Sequence, residues 1–207
     1  MQGDVLTVVF QVAILVFSVV LHELAHGYAA NYYGDPTARL AGRLTMNPIS
    51  HIDPFGSIIL PALMALLPGG IILGWAKPVP YNPYNLKGRF AETVVTGAGI
   101  MTNLLLALIF GLVLRFGGAS LGEGFTTLAV YIVLINLLLA IFNAIPIPPL
   151  DGSKVLSTVL PFQFRSIIDS LERWGLVLLL IFVFFGWQFL YPIIKFLFGL
   201  IVGSSIF

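Results

Sequence analysis

The chain has no cysteine in its 207 residues, which excludes disulfides and removes thiolates from the choice of metal ligands. Charge is almost as scarce: Asp, Glu, Lys and Arg together make up 9% of the residues, for a formal net charge of +1. No basic run tracks a phosphate backbone, so nucleic acid is not an expected partner. Residues 94–114 and 126–145 contain no Asp, Glu, Lys, Arg or His at all. What fills the space is apolar. Hydrophobic residues account for 58% of the chain, outside the soluble globular range, and the expected class is a polytopic membrane protein with the lipid bilayer as its solvent. The N-terminal apolar run lacks the basic start of a secretory leader, so it reads as retained.

Against that background one cluster of ionisable residues stands out: Leu21-His22-Glu23-Leu24-Ala25-His26, following an uncharged run over residues 5–21. Histidines four apart lie one above the other on a helix face, close enough to share a metal ion. Zinc suits two neutral imidazoles and one further ligand, with a fourth tetrahedral position left for water. Glu23 projects beside that position, where a carboxylate takes a proton from water acidified by the metal. The pattern H-E-x-x-H thus reads as a hydrolytic site. Two solvated histidines on a polar helix face would be the bland alternative, but ionisable groups near membrane depth are costly and by default functional.

The rest of the chain is punctuated by proline and glycine. Residues 4–33 form one helix long enough to cross about 30 Å of hydrocarbon, stopped by Gly34-Asp35-Pro36. Residues 38–47 alternate loosely and predict short extended structure or a hairpin. Residues 53–75 have the length of a span, but Pro61, Pro68, Gly69 and Gly70 interrupt them. The competing reading is a re-entrant loop, with a half-helix over about 56–67 and an extended return. Prolines at 78, 80 and 83 then forbid a helix and allow an edge strand or polyproline-like run. Residues 92–115 read as a span whose Gly97, Gly99, Thr102 and Asn103 offer a small, polar packing face. A tight loop at 117–124 precedes the next span, 126–144. That span ends in Asn143-Ala144-Ile145-Pro146-Ile147-Pro148-Pro149-Leu150-Asp151-Gly152, where the prolines unwind the helix and present Asp151 on irregular backbone, a context tolerated in a membrane only within protein or a water-filled cavity. Residues 153–173 are a loop or interfacial helix. Residues 176–202 are too long for one span and predict two helices broken at Gly186-Trp187-Gln188, the second lying shallow. The expected fold is an all-α polytopic membrane protein, a helical bundle with a re-entrant segment and short membrane-associated β-strands. One domain over residues 1–207 is expected, with a catalytic core at about 4–160 and C-terminal helices at about 168–204.

His51, Asp53 and Asp151 are the candidates for the third ligand. His51 sits among Asn47, Pro48, Ser50 and Asp53 in a water-side turn, where a histidine is far more often solvated or a hydrogen-bonding partner than a ligand. Asp53 precedes Pro54 in the position of a helix cap. Asp151 alone combines a carboxylate with a broken helix at membrane depth. For Asp151 to meet His22 and His26, the segment at 53–75 must turn back rather than cross. Charge agrees: the re-entrant topology puts Arg39, Arg43, Lys77, Lys87, Arg89, Lys154, Arg165 and Arg173 on one side against Arg115, which makes the metal side cytoplasmic by the positive-inside rule.

These residues give the chain a family likeness. It resembles the site-2 protease family of intramembrane zinc metalloproteases, in a small form without a PDZ or CBS domain. The likeness covers most of residues 1–175. It rests on His22-Glu23-Leu24-Ala25-His26, Gly34-Asp35-Pro36-Thr37-Ala38, Ala41-Gly42-Arg43-Leu44-Thr45, Gly74-Trp75-Ala76-Lys77-Pro78-Val79-Pro80, and Asn143 through Asp151-Gly152. The resemblance implies that His22, His26 and Asp151 bind one zinc ion per chain and that Glu23 is the general base. It also implies a membrane-spanning protein segment as substrate, cut in or near the bilayer, with the protease in the plasma membrane. The family's Ala-Gly-Pro-x-x-Asn motif stands here as Ala98-Gly99-Ile100-Met101-Thr102-Asn103, with isoleucine in place of proline. Asn103 and Asn143 are candidates for holding substrate or its oxyanion, with interhelical hydrogen bonding as the plainer alternative. A metal-ion transporter is the rival from another class, and it should string ionisable residues along its spans. A catalytically dead binding module is a weaker rival, since all four expected catalytic positions are filled.

Overall fold

The computed structural model describes residues 5–60, 62, 74–117, 120–161 and 171–203. The first helix, α1, is Val5–Tyr32. It ends in a Schellman closure: the Asp35 N–H donates to the Ala30 carbonyl at 2.9 Å and the Gly34 N–H to the Asn31 carbonyl at 3.2 Å. That closure needs a left-handed residue, and Gly34 supplies it at φ 101°. Asp35 then folds back, its Oδ1 accepting from the Thr37 N–H at 3.2 Å, which starts the short helix α2, Thr37–Leu40.

The expected hairpin over 38–47 is absent, and among the described residues there is no strand. The loose alternation belongs instead to a helical turn closed as α1 is, with Arg43 N–H on the Ala38 carbonyl at 2.9 Å and Gly42 at φ 65°. The proline-rich run from 74 to 82 is extended but is not an edge strand either. Its Trp75 and Lys77 N–H groups donate to the carbonyls of Gly56 and His51 at 3.1 and 2.9 Å. Val79 and Asn82 donate to the carboxylates of Glu23 and Asp35 at 2.8 and 2.6 Å. Prolines at 78 and 80 delete alternate donors, so the backbone bonds to turns and side chains and cannot sustain a ladder.

The return of Trp75 to Gly56 brings the two ends of the interrupted segment together. Ser57 Oγ also donates to the Trp75 carbonyl at 2.8 Å. The turn of the expected re-entrant loop, residues 61 and 63–73, lies outside the described residues. Its entrance is a π-helical turn, Pro54–Ile59, capped by Asp53, whose Oδ1 accepts from the Gly56 N–H at 2.6 Å.

Helix α3, Ala91–Gly117, is the central element and packs against α1, against α4 at Glu123–Asn143, against α5 at Asp151–Val159, and against α7 at Trp187–Val202. Helix α6, Gly175–Phe185, meets α7 at Gly186 with a bend of 69°, the break that Gly186-Trp187-Gln188 predicts. Among the described residues three helices, α1, α3 and α4, are long and apolar enough to cross a membrane, and the bent α6–α7 pair is a fourth candidate if it counts as one span. Much of their outer surface is exposed Leu, Ile, Val and Phe, as lipid contact requires.

The buried faces of α1 and α3 are stripes spaced by four. On α1 the stripe is Ser18, His22, His26 and Ala30, with Val20, Leu24 and Gly27 buried beside it; on α3 it is Ala91, Val95, Gly99, Asn103, Ala107 and Gly111, with Thr96 buried beside it. Four residues is just over one turn, so each stripe is a single ridge. Asp151 is the first helical residue of α5, where the sequence predicts irregular backbone. The helix begins as soon as Pro148 and Pro149 have passed.

Candidate metal centre

Three of the expected site residues come together from elements far apart in the chain. Asp151 Oδ2 lies 2.9 Å from His22 Nε2 and 3.1 Å from His26 Nε2, and the two Nε2 atoms are 3.2 Å apart. All three residues are buried. The other nitrogen of each imidazole is already committed. His26 Nδ1 donates to the carbonyl of Val95 at 2.6 Å, and His22 Nδ1 to the Asn103 side-chain oxygen at 2.6 Å. A neutral imidazole with its proton on Nδ1 has only a lone pair at Nε2. Two such lone pairs and a carboxylate oxygen therefore face one another, an arrangement that a cation stabilises and that repels without one.

The spacing also fits zinc. Ligand atoms about 2.0–2.1 Å from a tetrahedral zinc are roughly 3.3 Å from each other, close to the three separations found here. Gly99 keeps the approach clear: a Cβ there would lie 2.5 Å from the Nε2 atoms of both His22 and His26. Among the described residues this trio is the group of His, Asp and Glu side chains with metal-ligand geometry. His51 and Asp53, the other candidates for third ligand, lie elsewhere. His51 Nε2 donates to the Thr45 carbonyl at 2.9 Å, and Asp53 caps the π-helical turn.

Glu23 stands one residue round the helix from His22. Its Oε2 accepts the Val79 N–H at 2.8 Å, which leaves Oε1 uncommitted by that bond. It lines a cavity of about 40 Å³ with His26, Pro78, Val79, Tyr81, Thr96, Asp151 and Lys154, enough room for water. Lys154 Nζ sits 3.4 Å from Asp151 Oδ1, so one carboxylate oxygen faces the histidines and the other a cation. Burial pushes the Tyr81 phenol above its usual range, reinforced by the negative charges of Glu92 and Asp151. At neutral pH it is an O–H, able to donate into the cavity.

The two asparagines part company. Asn103 is wholly buried and holds His22, with its Nδ2 donating to Asn136 Oδ1 at 2.8 Å. Asn143 does not join the group, for its Nδ2 turns back to the Leu139 carbonyl at 2.9 Å. Sequence reasoning missed Asn136 and Ser18, which carry this network deeper. The available signal was a polar residue in the middle of each apolar span. It missed Val79 too, since nothing in a Pro-Val-Pro triplet advertises a backbone donor.

Known proteins bear on the same residues. A family model described as Peptidase family M50 matches residues 10–121 and 115–185. YwhC of Bacillus subtilis, a protein named as a zinc metalloprotease, is 39% identical over 181 residues, or 83% of this chain and 78% of its own. Rip2 of Mycolicibacterium smegmatis, named likewise, is 28% identical over 165 residues, 79% of this chain and 62% of its own length. MJ0611 of Methanocaldococcus jannaschii, also so named, is 30% identical over 138 residues, 66% of this chain and 63% of its own. The chain thus spans less than two thirds of the latter two. No solved structure matches.

Proposed function

The chain belongs to peptidase family M50, a multi-pass membrane zinc metalloendopeptidase, and from that premise we propose that it cuts membrane-spanning protein segments in or near the bilayer, using Glu23 as general base at a centre formed by His22, His26 and Asp151. The observation that carries the reading is the convergence of three metal-binding acceptor atoms, 2.9–3.2 Å apart, two of them on a helix long and apolar enough to cross a membrane. His22, His26 and Asp151 would hold a zinc ion, which would supply a Lewis acid for the scissile carbonyl and for water. Glu23 takes the proton from water at Oε1 while the Val79 N–H holds Oε2, the water oxygen adds to the carbonyl carbon, and Glu23 gives the proton to the amide nitrogen as the C–N bond breaks. The His26 and His22 rings are kept in register by Val95 and Asn103, and Lys154 orients Asp151.

Asn103 acts on this reading through His22 rather than on substrate. The two bonds between Trp75 and the turn at Gly56 and Ser57 support a re-entrant segment, and with it a topology that keeps Arg39, Arg43, Lys77, Lys87 and Lys154 at the metal side and Arg115 at the far end of α3. That distribution supports a cytoplasmic site in the plasma membrane. The domain reading is a single unit, with the core at about 4–160 and the C-terminal helices appended at about 168–204.

The test uses the purified full chain and a model single-span substrate in liposomes. Wild type cleaves it, and Glu23→Gln lowers cleavage by roughly 10²–10⁴-fold, the worth of a positioned base, with zinc still one per chain. Undiminished cleavage removes Glu23 from the mechanism. Cleavage of soluble peptides with the spanning substrate left intact overturns the membrane-substrate reading.

A further inference from the structure

Asn136 never touches the three converging side chains, yet its hydrogen bonds lead through Asn103 to His22. It sits in the middle of α4 with no exposed surface. Its Nδ2 donates to the Ile132 carbonyl at 2.9 Å and to Ser18 Oγ at 2.9 Å. Its Oδ1 accepts from Asn103 Nδ2 at 2.8 Å, and Asn103 Oδ1 accepts from His22 Nδ1 at 2.6 Å. Carboxamides are reversible in principle, and a hydroxyl donates or accepts as required. The Ile132 carbonyl cannot reverse, because a backbone carbonyl only accepts. It holds the NH₂ of Asn136 toward itself, which turns the Asn136 oxygen to Asn103, which in turn presents the Asn103 oxygen to His22. The proton of the imidazole must then be on Nδ1 and the lone pair on Nε2, the form that binds metal. Reversing either carboxamide would press two buried acceptors or two buried donors together, at a cost that low dielectric magnifies.

We propose that Asn136 is a positioning residue: it anchors a one-way amide relay, from Ile132 through Asn103, that selects the metal-binding tautomer of His22. The proposal rests on the reading of His22 as a zinc ligand. Interhelical adhesion alone does not account for the arrangement, since adhesion has no preferred direction and this chain of bonds has one, ending at the imidazole.

The experiment measures Zn²⁺ affinity of the full chain in detergent by competition with a chromophoric chelator. Asn136→Leu removes the anchor and weakens zinc about 10-fold, the lower end of what outer partners of a ligand contribute. Where leucine's bulk prevents folding, Asn136→Ala, which only removes atoms, carries the same expectation. Asn136→Asp is the rescue. Buried among apolar residues its carboxyl is protonated, keeping an O–H toward Ile132 and a C=O toward Asn103, so affinity stays within about 3-fold of wild type. In an Asn103→Ala background the link from Asn136 to His22 is already cut, and there Asn136→Leu has no further effect. An equal loss in both backgrounds, failure of the aspartate to rescue, or wild-type affinity in Asn136→Leu overturns the relay. His22→Ala separates the two readings: zinc retained at wild-type affinity in that variant overturns the ligand assignment itself, and the relay with it.

Discussion

One end of the α3–α4 pair holds His22, His26, Asn103, Asn136 and Asp151; the other holds Ala107 and Val133 against Leu190, Ile194, Phe198 and Val202 of α7. Both ends are closely buried, and the physics that holds them differs. At the apolar end, lipid tails are as apolar as the side chains, so association has no hydrophobic driving force and rests on shape and dispersion. Many small contacts share the load. At the polar end each group has one or two partners with fixed donor and acceptor roles, and an unmatched group there is left in a medium that cannot solvate it. A tolerant packing surface and an intolerant wiring scheme thus lie on the same ridge of α3, one turn apart at Asn103 and Ala107.

The sharpest break in that contrast comes from adding one methyl group at each end. Gly99→Ala places a Cβ 2.5 Å from both Nε2 atoms, on stiff rings whose far nitrogens are pinned by Val95 and Asn103. Zinc affinity is expected to fall about 100-fold, the upper range for disturbing the support of a ligand set. Gly111→Ala also collides, with Ile201 of α7, but the obstacle is a side chain in a dispersive contact. There the expected loss is about 1–3 kcal/mol of stability, as for an overpacked core, with zinc affinity unchanged. Chelator competition and thermal unfolding on the two variants check both halves. A zinc defect in Gly111→Ala would dissolve the distinction.

The same contrast explains what the amino-acid order made legible. His22, Glu23 and His26 are readable because their geometry is local: a spacing of four on a helix is a distance. Asp151 is readable as the one candidate carboxylate that follows a proline-broken apolar helix, and the fold brings it to His22 and His26. The two Schellman closures were half legible. Gly34 announced itself, whereas the turn at Gly42 was taken for a hairpin since loose alternation over 38–47 resembles a strand when no partner is in view. The edge strand at 75–82 failed for the same reason, as a strand is a property of two chains and proline had removed the donors that pairing needs. Asn136 and Ser18 were visible as polar residues in apolar spans, but which partner each one finds is settled only by how α1, α3 and α4 pack. Asn103 allows two readings from sequence, substrate contact and interhelical hydrogen bonding, and its bonds to His22 on α1 and Asn136 on α4 are of the second kind.

A smaller effect extends the polar end into the connecting loops. Asp35 is buried and accepts from the Thr37 hydroxyl, from Asn85 Nδ2 at 2.9 Å and from the Asn82 N–H at 2.6 Å, tying the end of α1 to the chain that carries Val79. Burial alone would raise its pKa, but the hydrogen bonds from Thr37, Asn85 and Asn82 outweigh it and hold the carboxyl below its ordinary value. A group depressed in the folded state stabilises fully above its unfolded pKa of about 3.9, and the contribution is lost as pH falls through the lower folded value. Asp35→Ala is expected to cost about 1–3 kcal/mol at pH 7, the loss of charged hydrogen bonds, and the gap from wild type should narrow below about pH 4. Unfolding of metal-free protein at pH 7, 4 and 3 measures it. A gap that stays constant with pH would mean that Asp35 acts by packing and not by charge.

The smallest effect on the metal centre is expected from the largest deletion. Phe198 has no exposed surface and sits in the middle of the apolar cluster. In water its removal would cost about 3–5 kcal/mol through lost transfer energy and a cavity. In lipid the transfer term largely vanishes, because the unfolded reference is also apolar. What remains is the lost dispersion with its neighbours, so Phe198→Ala should cost about 1–2 kcal/mol, less than half the aqueous figure. Zinc affinity should stay within about 2-fold of wild type, since distant, independent sites add. Leu137 makes this informative, for it belongs to the same cluster and adjoins Asn136 on α4. If the cavity left by Phe198 let α4 shift, Asn136 would move with it and the relay to His22 would report the shift as lost affinity. An unchanged affinity beside a lowered unfolding temperature therefore says that the polar wiring holds α4 in place by itself. A loss of 10-fold or more would show that the apolar end sets the position on which the wiring depends.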